Sequence, residues 1–417
     1  MSSEEPFMEY GKLNIRVVSD NSGFPIPNAT VRVTSENEPE NTIEEALTND
    51  EGQLNGIELE APPVDYSMEP SANKPYAEYT ITISAPGFES VEINGAEIFS
   101  GETALQDASL LPLATGETNS AELFVIPDHT LWGDYPPKIP ESEIKTVEET
   151  GEIVLSRVVI PEYVVVHNGP PSDSGAQDYY VKYKDYIKNV ASSEIYSTWP
   201  LATIQANVLA IQSFTLNRVY TEWYRNKGKD FTITSSTAYD HKWIPNRNVF
   251  ESISRVVDDL FSNFLARPNV QQPILTQYCD GKNVTCPNWM SQWGSKSLGD
   301  QGYSAIEILR NYYGDSIYIN STDEISGIPS SYPGAPLRQG DSGEKVRQMQ
   351  HQLNVISNGY PMIPKIAEDG VFGPATEEAV KTFQRIFGLT QDGIVGFRTW
   401  YKISEIFVGV SRIAELL

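Results

Sequence analysis

Two Asp-Gly pairs near the end of the chain are the sequence feature that most constrains its fold. Asp369-Gly370 and Asp392-Gly393 each lie beside a short apolar segment and precede a predicted helix start. Asp-Gly pairs favour tight turns, because glycine readily adopts the left-handed backbone conformation. The spacing therefore predicts a small module of short helices joined by tight turns.

Two of the predicted helices carry side chains at three- and four-residue steps, which is typical of one buried helix face. The positions are Val346, Met349, Gln350 and Leu353 in the first helix, and Ala375, Ala379, Val380, Phe383 and Phe387 in the second. Gly373-Pro374 marks the start of the second helix, because proline suits a first helical turn. We expect a three-helix module over residues 335–417.

The order of residues in this module is more specific than its helices. D-G-x-F-G-x-x-T-x-x-A-V-x-x-F-Q is followed by D-G-I-V-G-x-x-T-W. This order closely resembles the peptidoglycan-binding module found at the ends of many bacterial wall enzymes. The resemblance implies peptidoglycan as a partner and a location at the cell wall or spore envelope, whereas a helical bundle with another role is the alternative.

Length and charge narrow the function classes. A chain of 417 residues is long enough for two to four domains. Its net charge of −26 argues against nucleic acid and anionic membrane surfaces, which bind basic faces. No apolar run approaches the roughly 20 residues that span a bilayer. The start MSSEEPFMEYGKL is acidic where a signal peptide is basic and then apolar, so the route of export stays open.

The first segment, residues 1–115, alternates apolar and polar residues in runs such as LNIRVVS, ATVRVTS and YTITISA. Glycine, proline and asparagine clusters separate these runs, and the combination predicts a small β-sandwich. PIPNATVRV, T-N-D-E-G and APGFES resemble the transthyretin-like or carboxypeptidase-regulatory-like sandwich. That resemblance implies a structural or adhesive accessory domain.

The middle segment, residues 116–325, is expected to be an α+β domain with a leading linker that lies along a neighbouring domain. IVLSRVVIPEYVVVHNG is typical of buried strands. Thr198-Trp199-Pro200 predicts the entry of a long buried helix that ends at Lys227-Gly228. Glu194, just before this helix, has Val190, Ala191, Ile195 and other apolar neighbours. Burial disfavours a charged carboxylate, so Glu194 is a candidate proton donor, with a capping or solvated glutamate as the alternative.

The blocks V-A-S-S-E-x-x-x-x-W-P and M-S-Q-W-G-S, with I-L-R-N-Y-Y-G after them, are similar to the sporulation stage II protein D family. Its members include a lytic transglycosylase and an amidase enhancer. The resemblance covers about 170 residues and implies that Glu194 is the catalytic acid of a peptidoglycan lytic transglycosylase. The expected substrate-binding residues are Tyr196, Trp199, Gln212, Tyr239, Asp280, Ser291, Gln292 and Trp293. For the aromatic and glutamine side chains, a purely structural role is the alternative.

The two cysteines, Cys279 and Cys286, leave three alternatives open: two free thiols, a local disulfide, or a metal site that needs further ligands. Some members of the resembled family hold zinc through cysteine and histidine. We expect no cofactor, with zinc on Cys279, Cys286 and His241 or His167 as the alternative. The family also implies a cell-wall amidase as a second partner. Two rival functions remain: a non-catalytic wall-binding protein that enhances an amidase, and a structural part of the spore or cell envelope.

Overall fold

The computed structural model describes residues 8–20, 22–113, 121–146, 157–326, 333 and 335–411. The first residues of the predicted strand IVLSRVVIPEYVVVHNG and parts of both predicted linkers lie outside them. Within the described residues, no helix is long and apolar enough to cross a bilayer.

The N-terminal part consists of two sheets. Its strands are β1 (Glu9–Ser19), β2 (Thr30–Ser35), β3 (Glu38–Leu47), β4 (Gln53–Ala61), β5 (Ala77–Ser84), β6 (Ser90–Ile98), β7 (Thr103–Leu110) and β8 (Ala121–Val125), with the short helix α1 (Asp65–Met68) after β4. One sheet has the order β3-β2-β5-β6-β8, and the other contains β7-β1-β4. Alternate residues such as Leu13, Ile15 and Val17 are fully buried between the sheets. The β-rich N-terminal region is therefore confirmed.

The middle part is mainly helical with short strands. Its elements are β9 (Tyr163–His167), β10 (Asp178–Lys182), α2 (Tyr183–Glu194), α3 (Leu201–Tyr220), β11 (Ile233–Thr234), β12 (Val249–Phe250), α4 (Glu251–Leu260), β13 (Asn263–Ala266), β14 (Tyr278–Cys279), β15 (Met290–Ser291), α5 (Gln292–Asp300), α6 (Ala305–Tyr313) and β16 (Tyr318–Ser321). The predicted long helix ends at Tyr220, seven residues earlier than expected. Glu222, with a φ of 48°, interrupts it, and a separate 3₁₀ turn covers Arg225–Lys227 before Gly228.

The N-terminal and middle parts share one core. Strand β12 extends the β7-β1-β4 sheet, pairing Val249 with Leu105 and Phe250 with Ala104. Beside it, the buried Arg247 guanidinium forms an ion pair with Glu97 of β6 and donates a hydrogen bond to Ser193 Oγ at 3.2 Å. Contacts of this kind fix the sandwich against α2.

Residues 126–146, here called the strap, lie along the middle part as the linker prediction proposed. Strand β8 pairs with β6 just before the strap. Leu123 and Val125 of β8 are nevertheless 56% and 61% exposed, because they occupy the outer edge of the sheet. Ile126 and Leu131 of the strap are buried.

One arginine fastens the strap to α3. The fully buried Arg218 guanidinium donates to Glu141 Oε1 at 2.6 Å and Oε2 at 2.9 Å, and to Asp240 Oδ1 at 2.7 Å. Lys145 Nζ lies 2.7 Å from Glu141 Oε2. Bidentate, buried ion pairs of this geometry are the strong ones.

The C-terminal part has three helices, α7 (Glu344–Ile356), α8 (Pro374–Ile386) and α9 (Phe397–Ser411). The two Asp-Gly turns are held in the same way. Gln350 accepts from Gly370 N–H at 2.8 Å and donates to Asp369 Oδ1 at 3.0 Å. Gln384 does the same at 2.9 and 2.8 Å for Gly393 and Asp392. The spacing of Gln350 placed it on the buried face of its helix. In the structure its buried side chain holds the Asp369-Gly370 turn through hydrogen bonds.

The strap should loosen in acid because of Glu141. Burial raises its pKa, but the hydrogen bonds and charges of Arg218 and Lys145 outweigh burial and lower the pKa to about 2. The folded pKa lies below the unfolded value of 4.5, so this stabilisation is present above pH 4.5 and is lost as the pH falls towards 2. We predict that Glu141→Gln lowers the free energy of unfolding by about 3 kcal/mol at pH 7 and by much less at pH 3. Urea unfolding at both pH values measures this.

The matched control is Glu143→Gln, two residues along the strap. Glu143 pairs with Arg267, but both side chains are partly exposed, so a loss below about 1 kcal/mol is expected. Equal losses for the two variants, or a Glu141→Gln loss that does not change with pH, would contradict this account of the strap.

Candidate active-site cleft

Glu194 is the last residue of α2 and is 4% exposed. Ten of the twelve residues of α2 are buried, so the helix delivers Glu194 from inside the domain and not from its surface. Ile195 is extended, and a turn of five residues leads to α3. The buried position expected for Glu194 is present, although it ends one helix and does not begin the next.

Three segments contact the Glu194 carboxyl group. The backbone N–H of Lys242 donates to Oε1 at 2.9 Å. Gln292 Nε2 donates to the Glu194 carbonyl oxygen at 2.8 Å and to Oε2 at 3.3 Å. Thr130 Oγ1, on the strap, lies 3.4 Å from Oε2 and donates its single proton to the Ser193 carbonyl oxygen at 2.8 Å. The carboxyl orientation therefore depends on the loop after β11 and on the start of α5, and the strap fixes the adjoining backbone.

Glu194 faces a narrow cleft. The lining residues are Thr130, Gly133, Tyr135, Pro136, Pro137, Lys138, Glu194, Thr237, Tyr278, Cys279, Asp280, Asn283, Val284 and Gln292. The strap supplies almost half of the lining.

Two lysines act electrostatically on Glu194. Burial lowers the pKa of Lys138 and of Lys242, and the Glu194 carboxylate opposes both shifts. Lys138 Nζ donates to the carbonyl oxygens of Asp240 and Thr237. The second carboxylate of the lining, Asp280, accepts from the N–H groups of Asn283 and Val284 at 2.7 and 2.9 Å. Glu194 is thus the lining acid that interacts with two lysines, whereas Asp280 accepts hydrogen bonds within its own loop.

Of the expected substrate-binding residues, Asp280 and Gln292 line the cleft with Glu194. Ser291 is next to it and caps α5, its Oγ accepting from Gly294 N–H at 2.9 Å. Tyr239 is half-buried beside the cleft and presents its carbonyl oxygen to Arg218 at 3.1 Å. Thr237, not Tyr239, contributes from that loop to the lining.

The remaining expected contacts need correction. Tyr196 and Trp199 are buried, and the Tyr196 ring packs against those of Phe99 and Trp199 where the sandwich meets α2. Trp199 Nε1 donates to Ser67 O at 2.9 Å. Trp293 is half-buried, with its ring 5.0 Å from that of Trp199. These rings do not line the cleft, so they offer no face there to a sugar.

Gln212 is also wrong as an expected contact to acetamido groups. Its side chain is completely buried in α3, and no described residue hydrogen-bonds its amide. It has no access to the cleft.

The cysteines adopt the disulfide alternative. Cys279 and Cys286 are bonded to each other, and Cys279 lies in the cleft wall. With both sulfurs in the disulfide, Cys279 and Cys286 are not available as zinc ligands in this structure. His241 is buried, with Nδ1 at 3.1 Å from Tyr186 Oη, and His167 pairs with Asp178 on β10, at 2.7 Å. Among the described residues, no group of three or more His, Cys, Asp and Glu side chains is placed to hold a metal.

Four residues of the site were missed from the sequence: Thr130, Lys138, Lys242 and Tyr278. Thr130 and Lys138 belong to a segment that reads as a linker. The signal for Lys138 was its position in YPPKIP, where prolines on both sides stiffen an extended segment that carries a single cation. Tyr278 had no distinguishing signal beyond its position next to Cys279.

The comparisons with known proteins support a wall-binding role for the C-terminal part. Residues 342–403 match the family model described as "Putative peptidoglycan binding domain". The predicted C-terminal peptidoglycan-binding domain is therefore confirmed.

Curated proteins are similar over parts of the chain. The zinc D-Ala-D-Ala carboxypeptidase of Streptomyces albus G is 46% identical over 71 residues, which are 17% of this chain and 26% of that protein. The N-acetylmuramoyl-L-alanine amidase CwlL of Bacillus licheniformis is 24% identical over 204 residues, 49% of this chain and 53% of that protein. The chain thus spans only about a quarter to a half of the length of these relatives.

Among solved structures, the SleB N-terminal domain aligns at 32% identity with 18% of this chain and 97% of that chain, with a TM-score of 0.16. The 5-hydroxyisourate hydrolase of Klebsiella pneumoniae aligns at 15% identity with 25% of this chain and 92% of that chain, with a TM-score of 0.17. Likenesses with such TM-scores carry no conclusion, so the transthyretin-like and stage II protein D-like resemblances stay predictions.

The cleft wall depends on the close approach of Gly281 to α5. Gly281 has a φ of +76°, and a Cβ there would lie 1.8 Å from Ser291 Oγ. We predict that Gly281→Ala lowers the free energy of unfolding by about 2–4 kcal/mol, because the backbone strain adds to a clash with the cap of α5. Urea unfolding measures the loss.

Gly302→Ala is the matched control. Gly302 has a φ of +85°, but nothing lies within 4 Å of its added Cβ, so only backbone strain of about 1 kcal/mol is expected. If the two variants lose the same free energy, the contact between Gly281 and Ser291 does not constrain the cleft.

Proposed function

We propose that this protein is a peptidoglycan lytic transglycosylase that its C-terminal domain holds on the cell wall. The observation that carries the proposal is one buried carboxyl group, Glu194, facing a cleft in a chain with a peptidoglycan-binding domain. The partial similarity to cell-wall enzymes supports association with the wall. The disulfide between Cys279 and Cys286 fits an oxidising environment outside the cytosol.

The proposed chemistry needs a single carboxyl group, unlike the carboxylate pair of most glycoside hydrolases. Protonated Glu194 donates its proton to the oxygen between N-acetylmuramic acid and N-acetylglucosamine, and that glycosidic bond breaks. The carboxylate that is left accepts the proton of the muramoyl 6-hydroxyl. The 6-oxygen bonds to the anomeric carbon, so the products are a 1,6-anhydro end and a free 4-hydroxyl, and no water is consumed.

The lining of the cleft is compatible with this role for Glu194. Asp280 is engaged by two backbone N–H groups of its own loop and is not paired with Glu194. Lys138 and Lys242 supply positive charge beside the carboxylate that remains after proton transfer. Gln292 fixes the orientation of the carboxyl group from α5.

A second candidate function is a wall-bound protein that enhances an amidase or forms part of the spore or cell envelope. The observation that favours it is that both Glu194 carboxylate oxygens accept hydrogen bonds from protein groups, as in a purely structural glutamate. Under this alternative the cleft binds glycan or a partner enzyme without cleaving a bond.

Glu194→Gln tests the proposal. The amide keeps an oxygen acceptor for the Lys242 N–H group, so the variant should fold and bind peptidoglycan, while it has no acidic proton to donate. We expect release of 1,6-anhydro-muropeptides to fall by about 100- to 10,000-fold. Mass spectrometry of the products from native peptidoglycan and from glycan strands without stem peptides measures this and identifies the preferred glycan.

Glu102→Gln is the control, because Glu102 is partly buried at the junction with the middle part, bonded to Ser252, and lies outside the cleft. It should leave product release unchanged. Anhydro products from Glu194→Gln at the wild-type rate would move the chemistry to another residue. No products from the wild type, with increased peptide release when an amidase is added, would establish the second function instead.

A further inference from the structure

Tyr278 shares the cleft with Glu194, yet its hydroxyl has no hydrogen-bond partner among the described residues. It is the first residue of β14, where it pairs with Met290 of β15. The residue is 1% exposed. A buried hydroxyl without a partner costs about 1–3 kcal/mol, so such groups in native proteins call for a reason.

The ring of Tyr278 is fixed by its neighbours. Lys138 Nζ lies 4.7 Å from the ring centroid, and the His241 ring lies nearly parallel to it at 5.8 Å. The direction of the hydroxyl is therefore set by packing and not by a hydrogen bond. Neighbouring buried tyrosines differ, because Tyr224 donates to Asp240 Oδ2 at 2.7 Å and Tyr313 to Gln277 O at 2.9 Å.

Glu194 and the Tyr278 hydroxyl are close enough to interact. Burial raises the pKa of the Tyr278 phenol well above its ordinary value, and both the charge of Glu194 and a hydrogen-bond contact with its side chain raise it further. This contact is longer or less well aligned than a normal hydrogen bond, so a closer acceptor can take the hydroxyl proton. Tyr278 is therefore a neutral hydroxyl donor near pH 7, beside the group proposed to transfer the proton.

An unpartnered hydroxyl alone is not a binding site. Tyr183 also has a buried hydroxyl without a partner among the described residues, but it faces a different pocket, lined by Phe261 and Tyr401. What distinguishes Tyr278 is the shared cleft with Glu194 and the cation packed on its ring.

We propose that the Tyr278 hydroxyl donates a hydrogen bond to an oxygen of the saccharide that lies against Glu194. This inference rests on the proposed function of the cleft, and it makes Tyr278 a substrate-contacting residue. Among the described residues no acceptor meets the hydroxyl with normal hydrogen-bond geometry, and the bound sugar supplies one. The hydroxyl keeps its proton throughout, so no further acid or base enters the reaction.

Tyr278→Phe removes only the oxygen and keeps the contacts of the ring with Lys138 and His241. We expect release of anhydro-muropeptides to fall by about 10- to 100-fold. Because no protein bond is lost, the midpoint of thermal unfolding should stay the same or rise. This combination distinguishes a substrate contact from a structural role, in which activity and stability fall together.

Tyr183→Phe is the matched control, since it also deletes a buried unpartnered hydroxyl, and it should leave product release unchanged. Wild-type activity in Tyr278→Phe, or a drop in its unfolding midpoint that parallels the loss of activity, would overturn the inference.

Binding separates a failure of this inference from a failure of the proposed function. Titration with a β-1,4-linked N-acetylglucosamine hexamer uses the full chain, so any contribution of the C-terminal domain is common to all variants. If the wild type forms no anhydro product but Tyr278→Phe binds the hexamer about tenfold more weakly than Tyr183→Phe, the contact stands and the transglycosylase proposal fails. Equal binding by both variants in an inactive protein would overturn the contact as well.

Discussion

The buried ion pairs of Arg218 hold together the parts from which the cleft is made. Arg218 bonds Glu141 on the strap and Asp240 on the loop after β11. The two lysines that flank Glu194 lie on these same segments, Lys138 three residues before Glu141 and Lys242 two residues after Asp240. A guanidinium whose charge is satisfied from two directions therefore sets the geometry around the carboxyl group. Loss of either carboxylate leaves a buried charge, which is why such a network is strongly coupled to folding.

The N-terminal sandwich holds the end of α2 that carries this carboxyl group. Glu97 of β6 holds Arg247, which donates to Ser193 next to Glu194. The Trp199 indole donates to Ser67, in the short helix after β4. Because these contacts are buried and polar, they restrict the position of the end of α2 more than apolar packing alone does. The sandwich is therefore part of the scaffold of the cleft and not a separate attachment.

Local patterns in the sequence predicted the local features of the structure. The spacing of Val346, Met349 and Leu353 and the two Asp-Gly turns suffice for the C-terminal helices, because each depends on neighbours a few residues away. Apolar alternation likewise predicted the N-terminal strands. Burial of Glu194 followed from its apolar surroundings in the chain. The sequence pattern does not show that Glu194 ends α2, because the end of α2 and the start of α3 lie in one continuous apolar stretch.

The other features of the site depend on contacts between residues that are far apart in the sequence. The strap reads as a linker, and nothing nearby in the sequence shows that Thr130 and Lys138 meet a carboxyl group more than fifty residues away. Tyr196, Trp199 and Gln212 are expected at the substrate because aromatic and amide groups suit sugars. In the structure Tyr196 and Trp199 instead fill the junction with the sandwich, and Gln212 is buried within α3. Periodicity gives the buried face of a helix and does not say which buried residue borders a cavity.

A crystal structure of the Glu194→Gln variant with a bound glycan oligomer tests the central claim most directly. The account predicts a saccharide in the cleft between the strap and α5, with a glycosidic oxygen within about 3 Å of the side chain at position 194. Glycan bound only on the C-terminal helices, with the cleft unoccupied at saturating oligomer, would contradict it.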